Sequence, residues 1–373
     1  VGLNAGFAAF AVKDSPILIN GRFLTQRITG VQRFGREILR ASSEAGLLNA
    51  KNAAILAPRS HLGAPDLPAF YAGIPVTSIG QRTGHVWEQI DLPREVSGDT
   101  LINLCNAGPM VLRRQMIVLH DAAVAAQPQN YTLAFRAWYN AMVRVYGYRA
   151  QTIATVSTFS ADEIVKRFGI KAEKIEIISE SGEHILRETP DFSLHEKYSL
   201  DNDGYFLAVS SLASNKNFSG ILKAVARLPA LPFKFVIVGA GNAKIFSGAK
   251  FDTLGAIETG YVSDGQLRAL YERAACFIYP SFYEGFGIPP VEAMSCGCPT
   301  LVSRTASLPE VCGDGAAYCD PYDADDIAKQ LALLLGSKAA RDDLRTAGLA
   351  RARHWTWNAA AHQLAEVTAH LHA

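Results

Sequence analysis

Ser281-Phe282-Tyr283-Glu284-Gly285-Phe286-Gly287-Ile288-Pro289-Pro290-Val291-Glu292-Ala293-Met294-Ser295-Cys296-Gly297-Cys298-Pro299 holds two carboxylates, Glu284 and Glu292, on either side of a Gly/Pro-rich turn. The apolar run Cys276-Phe277-Ile278-Tyr279, closed by Pro280, reads as a buried strand that opens into the turn. Proline is tolerated in a first helical turn, so Pro290 marks the expected start of a helix carrying Glu292 near its amino terminus. Glu284 then lies on a loop beyond a strand and Glu292 beside exposed helical N–H groups. That is the crevice in which open α/β sheets bind ligands.

Outward from this stretch, strand-like apolar runs recur at 16–20, 53–57, 76–79, 100–104, 116–119, 152–156 and 174–178, then at 205–210, 234–238 and 299–302. Helical patches separate them, and such βα repetition predicts mostly parallel sheets. The 373 residues suffice for two domains, and 49% hydrophobic residues supply two cores. The expected division is an N-terminal extension over 1–15, a Rossmann-like domain over 16–190, a linker over 191–203 with no strong core pattern, a second Rossmann-like domain over 204–353, and a terminal helix over 354–373.

Composition excludes several functions. Thirty-six basic and 35 acidic residues leave a formal charge of +1, which gives no footprint for nucleic acid. Six cysteines are too sparse for a disulfide scaffold, so a reducing, cytoplasmic chain is expected. Cys296-Gly297-Cys298 invites a metal reading, but the other cysteines and the nine histidines lack paired ligand spacing; buried thiols are the favoured reading and no metal is expected. No apolar run reaches the roughly 18 residues of a membrane span, and the apolar opening over 1–12 lacks a basic leader. Gly239-Ala240-Gly241 falls short of a dinucleotide fingerprint, and no triphosphate-binding loop is present.

Several residues stand where ligands bind. Gly30, followed by Val31, opens a predicted helix whose amides suit an anion, although plain capping is the favoured reading; Arg27 and Arg33 flank it as phosphate candidates or, by default, solvated surface. His120 and Asp121 follow the strand over 116–119; His120 faces either a ligand or a structural hydrogen bond, and Asp121 orients it only if a turn joins their side chains. The aromatic and arginine-rich stretch 131–149 suits a core stripe with snorkelling arginines better than a base-stacking surface. Ser160 and Glu163 form a capping-box pattern. Lys216, before a predicted helix over 218–228, is placed to neutralise a diphosphate or is simply exposed. Tyr261 and Val262, in the turn after Gly260, frame a base or only shape that turn.

Glu284-Gly285-Phe286-Gly287-Ile288-Pro289-Pro290-Val291-Glu292 resembles the E-x7-E motif of the retaining glycosyltransferase family 4, and the likeness continues through Gly297, Pro299, Leu308-Pro309-Glu310 and Gly315. The resemblance implies the GT-B fold: two Rossmann-like domains, an interdomain cleft and a C-terminal crossover helix that returns to the first domain. It implies that Glu284 contacts donor-sugar hydroxyls, Glu292 the nucleotide ribose, Lys216 the diphosphate with help from amides around Gly30, and that His120 lies beside the donor sugar. His120, Lys216 and Glu284 are thus the expected catalytic group. Gly30, Val31, Ser211, Tyr261, Val262, Phe286, Gly287, Ile288 and Glu292 are the expected donor-binding group.

The chain also departs from that pattern. Members often carry Arg where Ser211 and Asn215 stand, and Ser181-Gly182-Glu183-His184 differs from the common Asn-Gly-Val-Asp. Trp87-Glu88-Gln89 and Leu92-Pro93 resemble a subgroup that assembles cell-surface polysaccharides, which puts Trp87 and Glu88 on the acceptor side, with core packing an equal reading for Trp87. The implied reaction is retaining transfer of a hexosyl group, with mannose favoured, from a nucleotide sugar to a lipid-linked saccharide. GDP-mannose is favoured over UDP-sugars, no cofactor is expected, and the chain is expected in the cytoplasm or peripherally on the inner membrane's cytoplasmic face. Alternatives are a sugar-phosphate or sucrose-forming transferase and a noncatalytic sugar-nucleotide-binding scaffold.

Overall fold

The structure, a computed structural model, describes residues 16–59, 68–96, 98–209, 214–229, 232–239 and 255–372. The chain divides into two compact units. One takes residues up to Val156, then Ser160–Ser179 and Trp357–Ala373; the other takes Ser157–Phe159 and Glu180–Thr356.

In the first unit the strands are β1 (Ile17–Asn20), β2 (Ala53–Pro58), β3 (Phe70–Tyr71), β4 (Ile74–Ile79), β5 (Thr100–Asn103), β6 (Gln115–Val118), β7 (Thr152–Thr155) and β8 (Ile175–Ile177). They form one sheet in the order β3-β4-β2-β1-β5-β6-β7-β8, in which only β3 pairs antiparallel. Ile19, Ile55, Ile102 and Ile117 are fully buried, as expected of strands covered on both faces. The 131–149 stripe is the helix Leu133–Arg149; its Tyr139, Met142, Val143 and Tyr146 enter the core while Leu133 and Tyr148 stay exposed. The C-terminal helix Trp357–His372 belongs to this same unit. It packs on Gly30–Glu44, with the Trp357 and Phe34 rings 6.1 Å apart and Gln363 Oε1 accepting the Ser179 amide at 2.9 Å.

The second unit contains β9 (Tyr205–Val209), β10 (Lys234–Val238), β11 (Ile257–Gly260), β12 (Cys276–Tyr279), β13 (Thr300–Ser303) and β14 (Ala317–Cys319). Their order is β11-β10-β9-β12-β13-β14, all parallel. The chain leaves β9 toward one edge and returns to β12 on its other side, which is the doubly wound order with its topological switch point between β9 and β12. Sequence periodicity missed β11 and β14, the strands at the two opposite edges: Ile257-Glu258-Thr259-Gly260 carries a single apolar side chain, and Ala317-Tyr318-Cys319 is only three residues long.

Three local expectations are corrected. The stretch 191–203 contains a helix, Ser193–Tyr198, and lies within the second unit: Leu194 and His195 are buried, and His195 Nε2 is 3.0 Å from the Tyr205 hydroxyl. Glu163 caps nothing at Ser160; it pairs with Arg167 one turn on, at 2.5 Å. The helix Thr158–Phe168 is instead capped from far along the chain by Glu310, whose two oxygens accept the Thr158 and Phe159 amides at 2.8 and 2.9 Å. The helix expected from Pro290 starts two residues earlier, as Ile288–Ser295, because Gly287 takes φ 108° at the N-cap.

Candidate active site

β12 ends at Tyr279, and the loop that follows runs beneath the surface, so its carbonyls need partners other than water. Every carbonyl from Pro280 to Phe286 has a side-chain donor within 3.4 Å: Asn217, Ser303, Thr305, Asn215, Ser307 and Ser157 supply them in that order, Ser307 serving both Glu284 and Phe286. A backbone so tied presents the Glu284 side chain in one place.

That place is the switch point. Lys216, in the loop beyond β9, reaches Glu284 beyond β12: its Nζ lies 2.7 and 2.9 Å from the two carboxylate oxygens and 2.5 Å from the Tyr279 hydroxyl. An ammonium has three N–H bonds, and these partners take all three. It also stands 5.0 Å from the centre of the Tyr279 ring, and Ser281 Oγ hydrogen-bonds Glu284 Oε1 from the other side. Burial disfavours the ammonium, but the Glu284 carboxylate and Tyr279 hydroxyl outweigh it and hold the Lys216 pKa above the ordinary lysine value. Burial, then Glu284, raises the Tyr279 phenol, which stays protonated.

Glu292 lies in the helix that follows, buried, with Oε1 2.9 Å from His184 Nε2 and Oε2 accepting from the Tyr271 hydroxyl at 3.3 Å. Both oxygens keep further lone pairs for a hydroxyl. Burial and the nearby Glu292 push the Tyr271 phenol well up, so it remains a donor. His184 belongs to the segment that departs from the family pattern, and sequence reading gave it no role. Gly182 of that segment lies against the helix backbone: a Cβ there meets the Glu292 nitrogen at 2.3 Å.

The other expected residues distribute as follows. Phe286 and Ile288 are buried beside this loop, and the Phe286 ring meets Trp355 edge-on at 5.2 Å. Gly287, at the N-cap, leaves no room for a Cβ, which would stand 2.7 Å from Leu308 Cδ2. Tyr261 is 75% exposed and Val262 is buried, just before the capping box of Ser263 and Gln266. Ser211 lies outside the described residues.

In the first unit His120 is buried, with Nε2 3.0 Å from the Leu104 carbonyl and its ring edge-on to Phe34 at 4.8 Å. A carbonyl only accepts, so Nε2 carries a proton. Asp121 does not orient the ring through that nitrogen; its Oδ1 accepts the Ala123 amide. Gly30 is the exposed first residue of its helix, Val31 accepts from the Cys105 thiol, Arg27 is exposed and Arg33 half-buried. Trp87, expected on the acceptor side, is fully buried, and its Nε1 donates to the Ile79 carbonyl at 3.0 Å, so it is a packing residue. Glu88 is 1% exposed and paired with Arg22 at 2.8 Å. Among the described residues no three His, Cys, Asp or Glu side chains are grouped to hold a metal, and no helix is long and apolar enough to cross a membrane.

The family described as glycosyl transferases group 1 matches residues 192–351. The O-antigen chain mannosyltransferase B of Escherichia coli is 32% identical over 264 residues, 67% of this chain and 68% of that protein. The serotype-specific mannosyltransferase WbdA of the same organism is 31% identical over 223 residues, 57% of this chain but 26% of that longer protein. Among solved structures, WaaG, a glycosyltransferase involved in lipopolysaccharide biosynthesis, superposes with a TM-score of 0.72 at 14% identity, covering 94% of this chain and 98% of its own. A sucrose-phosphate synthase from Thermosynechococcus elongatus does so at 0.74 and 17%, covering 96% and 99%. The two parallel-sheet units have the GT-B fold of these neighbours, and with the sequence relatives they show that the chain belongs to the glycosyl transferases group 1.

Proposed function

We propose that this protein transfers a mannosyl group from GDP-mannose to a lipid-linked saccharide in the assembly of a surface polysaccharide, with retention at the anomeric carbon. The observation that carries the reading is the Lys216–Glu284 pair, fixed at the switch point of the second unit by loops from β9 and β12. The relatives named as O-antigen mannosyltransferases support mannose and the polysaccharide setting.

In this reading Glu284 accepts donor-sugar hydroxyls and Glu292, beside His184, accepts from the ribose. Lys216 brings positive charge to the diphosphate as the bond between the anomeric carbon and the diphosphate oxygen breaks. The acceptor hydroxyl oxygen bonds to that carbon from the same face, and its proton passes to the departing diphosphate. A lipid-linked acceptor places the protein at the cytoplasmic face of a membrane.

The test is incubation of purified protein with a panel of nucleotide sugars and acceptors, with products identified by mass and anomeric linkage. An α-mannoside formed from GDP-α-mannose is expected. Donor binding without transfer to any acceptor makes the protein a scaffold, and a sugar-phosphate product makes it the alternative transferase; either overturns the proposal. Transfer that persists after exhaustive chelation is expected as well.

A further inference from the structure

The first unit has a switch point of its own, between β1 and β5, and it is filled by a polar cluster that the donor site does not use. Asn20 ends β1 and Asn103 ends β5; Asn20 Nδ2 donates to Asn103 Oδ1 and to Glu88 Oε1, both at 3.0 Å. Arg22 Nε reaches the same Glu88 oxygen at 2.8 Å. Removing a carboxylate from water costs several kcal/mol even when it is paired, and apolar residues would fill a sheet end at lower cost. Glu88 therefore serves something other than packing.

Its second oxygen shows what. Glu88 Oε2 lies 2.9 Å from His85 Nδ1. The carboxylate accepts, so Nδ1 donates, and in the neutral ring Nε2 on the opposite edge is left as an acceptor. The His85 side chain is 46% exposed. Its ring stands edge-on to Trp138, 4.8 Å between centroids, and Phe135, 39% exposed, continues the aromatic surface 6.0 Å further on. The backbone between His85 and the sheet is a π-helical turn, Trp87–Asp91, a rare conformation that concentrates at functional sites.

We propose that His85, held by Glu88 and flanked by Trp138, is the acceptor subsite: Nε2 accepts a hydrogen bond from a hydroxyl of the saccharide that receives the hexosyl group, and the aromatic surface packs on that sugar ring. This rests on the transferase reading and names the acceptor's contact within it. A sugar hydroxyl donates, matching an imidazole nitrogen that accepts. A phosphate needs donors, and the cluster's cation, Arg22, is committed to Glu88. His85 binds and positions; it need not take a proton, because the diphosphate receives it.

Two substitutions separate the ring's nitrogens. His85→Asn keeps an amide donor where Nδ1 stands and removes the outer acceptor, whereas His85→Gln carries its amide to the position of Nε2. Initial rates at saturating GDP-mannose are measured against acceptor concentration, and GDP-mannose affinity is measured separately by calorimetry. His85→Asn is expected to raise the acceptor KM about tenfold, the worth of one good hydrogen bond, with donor affinity within about twofold; His85→Gln is expected to recover part of the loss. An acceptor KM in His85→Asn within about twofold of the unsubstituted protein overturns the assignment. So does a loss of donor affinity that matches the loss of transfer. If the unsubstituted protein neither binds donor nor transfers sugar, the transferase reading falls and this subsite with it. Trp138→Phe gives an independent arm: a smaller rise in acceptor KM supports the subsite, and an unchanged KM removes Trp138 from it.

Discussion

Lys216 and Glu284 lie on loops from neighbouring strands of the second sheet and meet at 2.7 Å, with the ammonium bonded to both carboxylate oxygens and the carboxylate reached by Ser281 as well. The two charges are mutually required. Lys216→Met leaves the Glu284 carboxylate in a poorly hydrated place without its cation, and a destabilisation of about 3–5 kcal/mol is expected. Lys216→Met/Glu284→Gln removes both charges and should recover at least half of that loss in denaturant titrations. Equal losses in the single and double variants would sink the paired reading. Either single substitution should lower transfer by about a hundredfold or more.

Gly182 has φ −107°, which any residue adopts, so its need for glycine is purely one of space. A methyl there meets the Glu292 nitrogen and the Val291 carbonyl carbon at 2.3 and 2.4 Å, both backbone atoms that cannot rotate away. Gly182→Ala is expected to cost at least about 3 kcal/mol and to displace Glu292, lowering donor affinity in parallel. A variant with an unchanged melting temperature would show that the helix and this segment separate freely.

Glu310 holds the first amides of Thr158–Phe168. Those amides have no partner inside the helix. Glu310→Ala should cost about 1–2 kcal/mol, the usual value of an N-cap, and Glu310→Gln less, because an amide oxygen still accepts. Thermal unfolding ranks the three proteins, and the order fails if Gln is as damaging as Ala.

Burial pushes the thiols of Cys276, Cys312 and Cys319 up to about 12, and those of Cys105, Cys296 and Cys298 are raised as well. At pH 8 roughly one buried thiol in ten thousand is then ionised. Native protein should react with a thiol reagent far more slowly than protein in denaturant. A raised folded-state value means that stability is full below the ordinary thiol value and declines as pH rises through it toward about 12. Rapid labelling of the native protein at pH 8 would contradict this.

The switch-point geometry was legible because the information is local: an apolar run closed by Pro280 announces β12, and the glycines and prolines after it announce a turn that displays Glu284. What holds that turn was not legible. Ser157 and Gly285 are separated by 128 residues, and Asn215 and Tyr283 by 68. A lone serine or asparagine shows no sign in sequence of which distant carbonyl it will meet. The same reason hid Glu310, since a local Ser160–Glu163 pattern offered itself while the true cap came from elsewhere. His184 was read only as a departure from a pattern; its partnership with Glu292 depends on Gly182 allowing two backbones to touch. Trp87 shows the converse, a residue conspicuous in sequence whose ring fills the core.

The helix Trp357–His372 completes the first unit although the whole of Glu180–Thr356 precedes it in the chain. A ribosome adding ~5–20 residues per second leaves roughly ten seconds or more during which the first sheet is finished but Phe34 waits for Trp357. Through that interval the face of Gly30–Glu44 on which Trp357–His372 packs stays uncovered. A chain that stops short of Trp357 therefore holds the whole of the second unit but lacks the helix that packs beside Phe34 in the first.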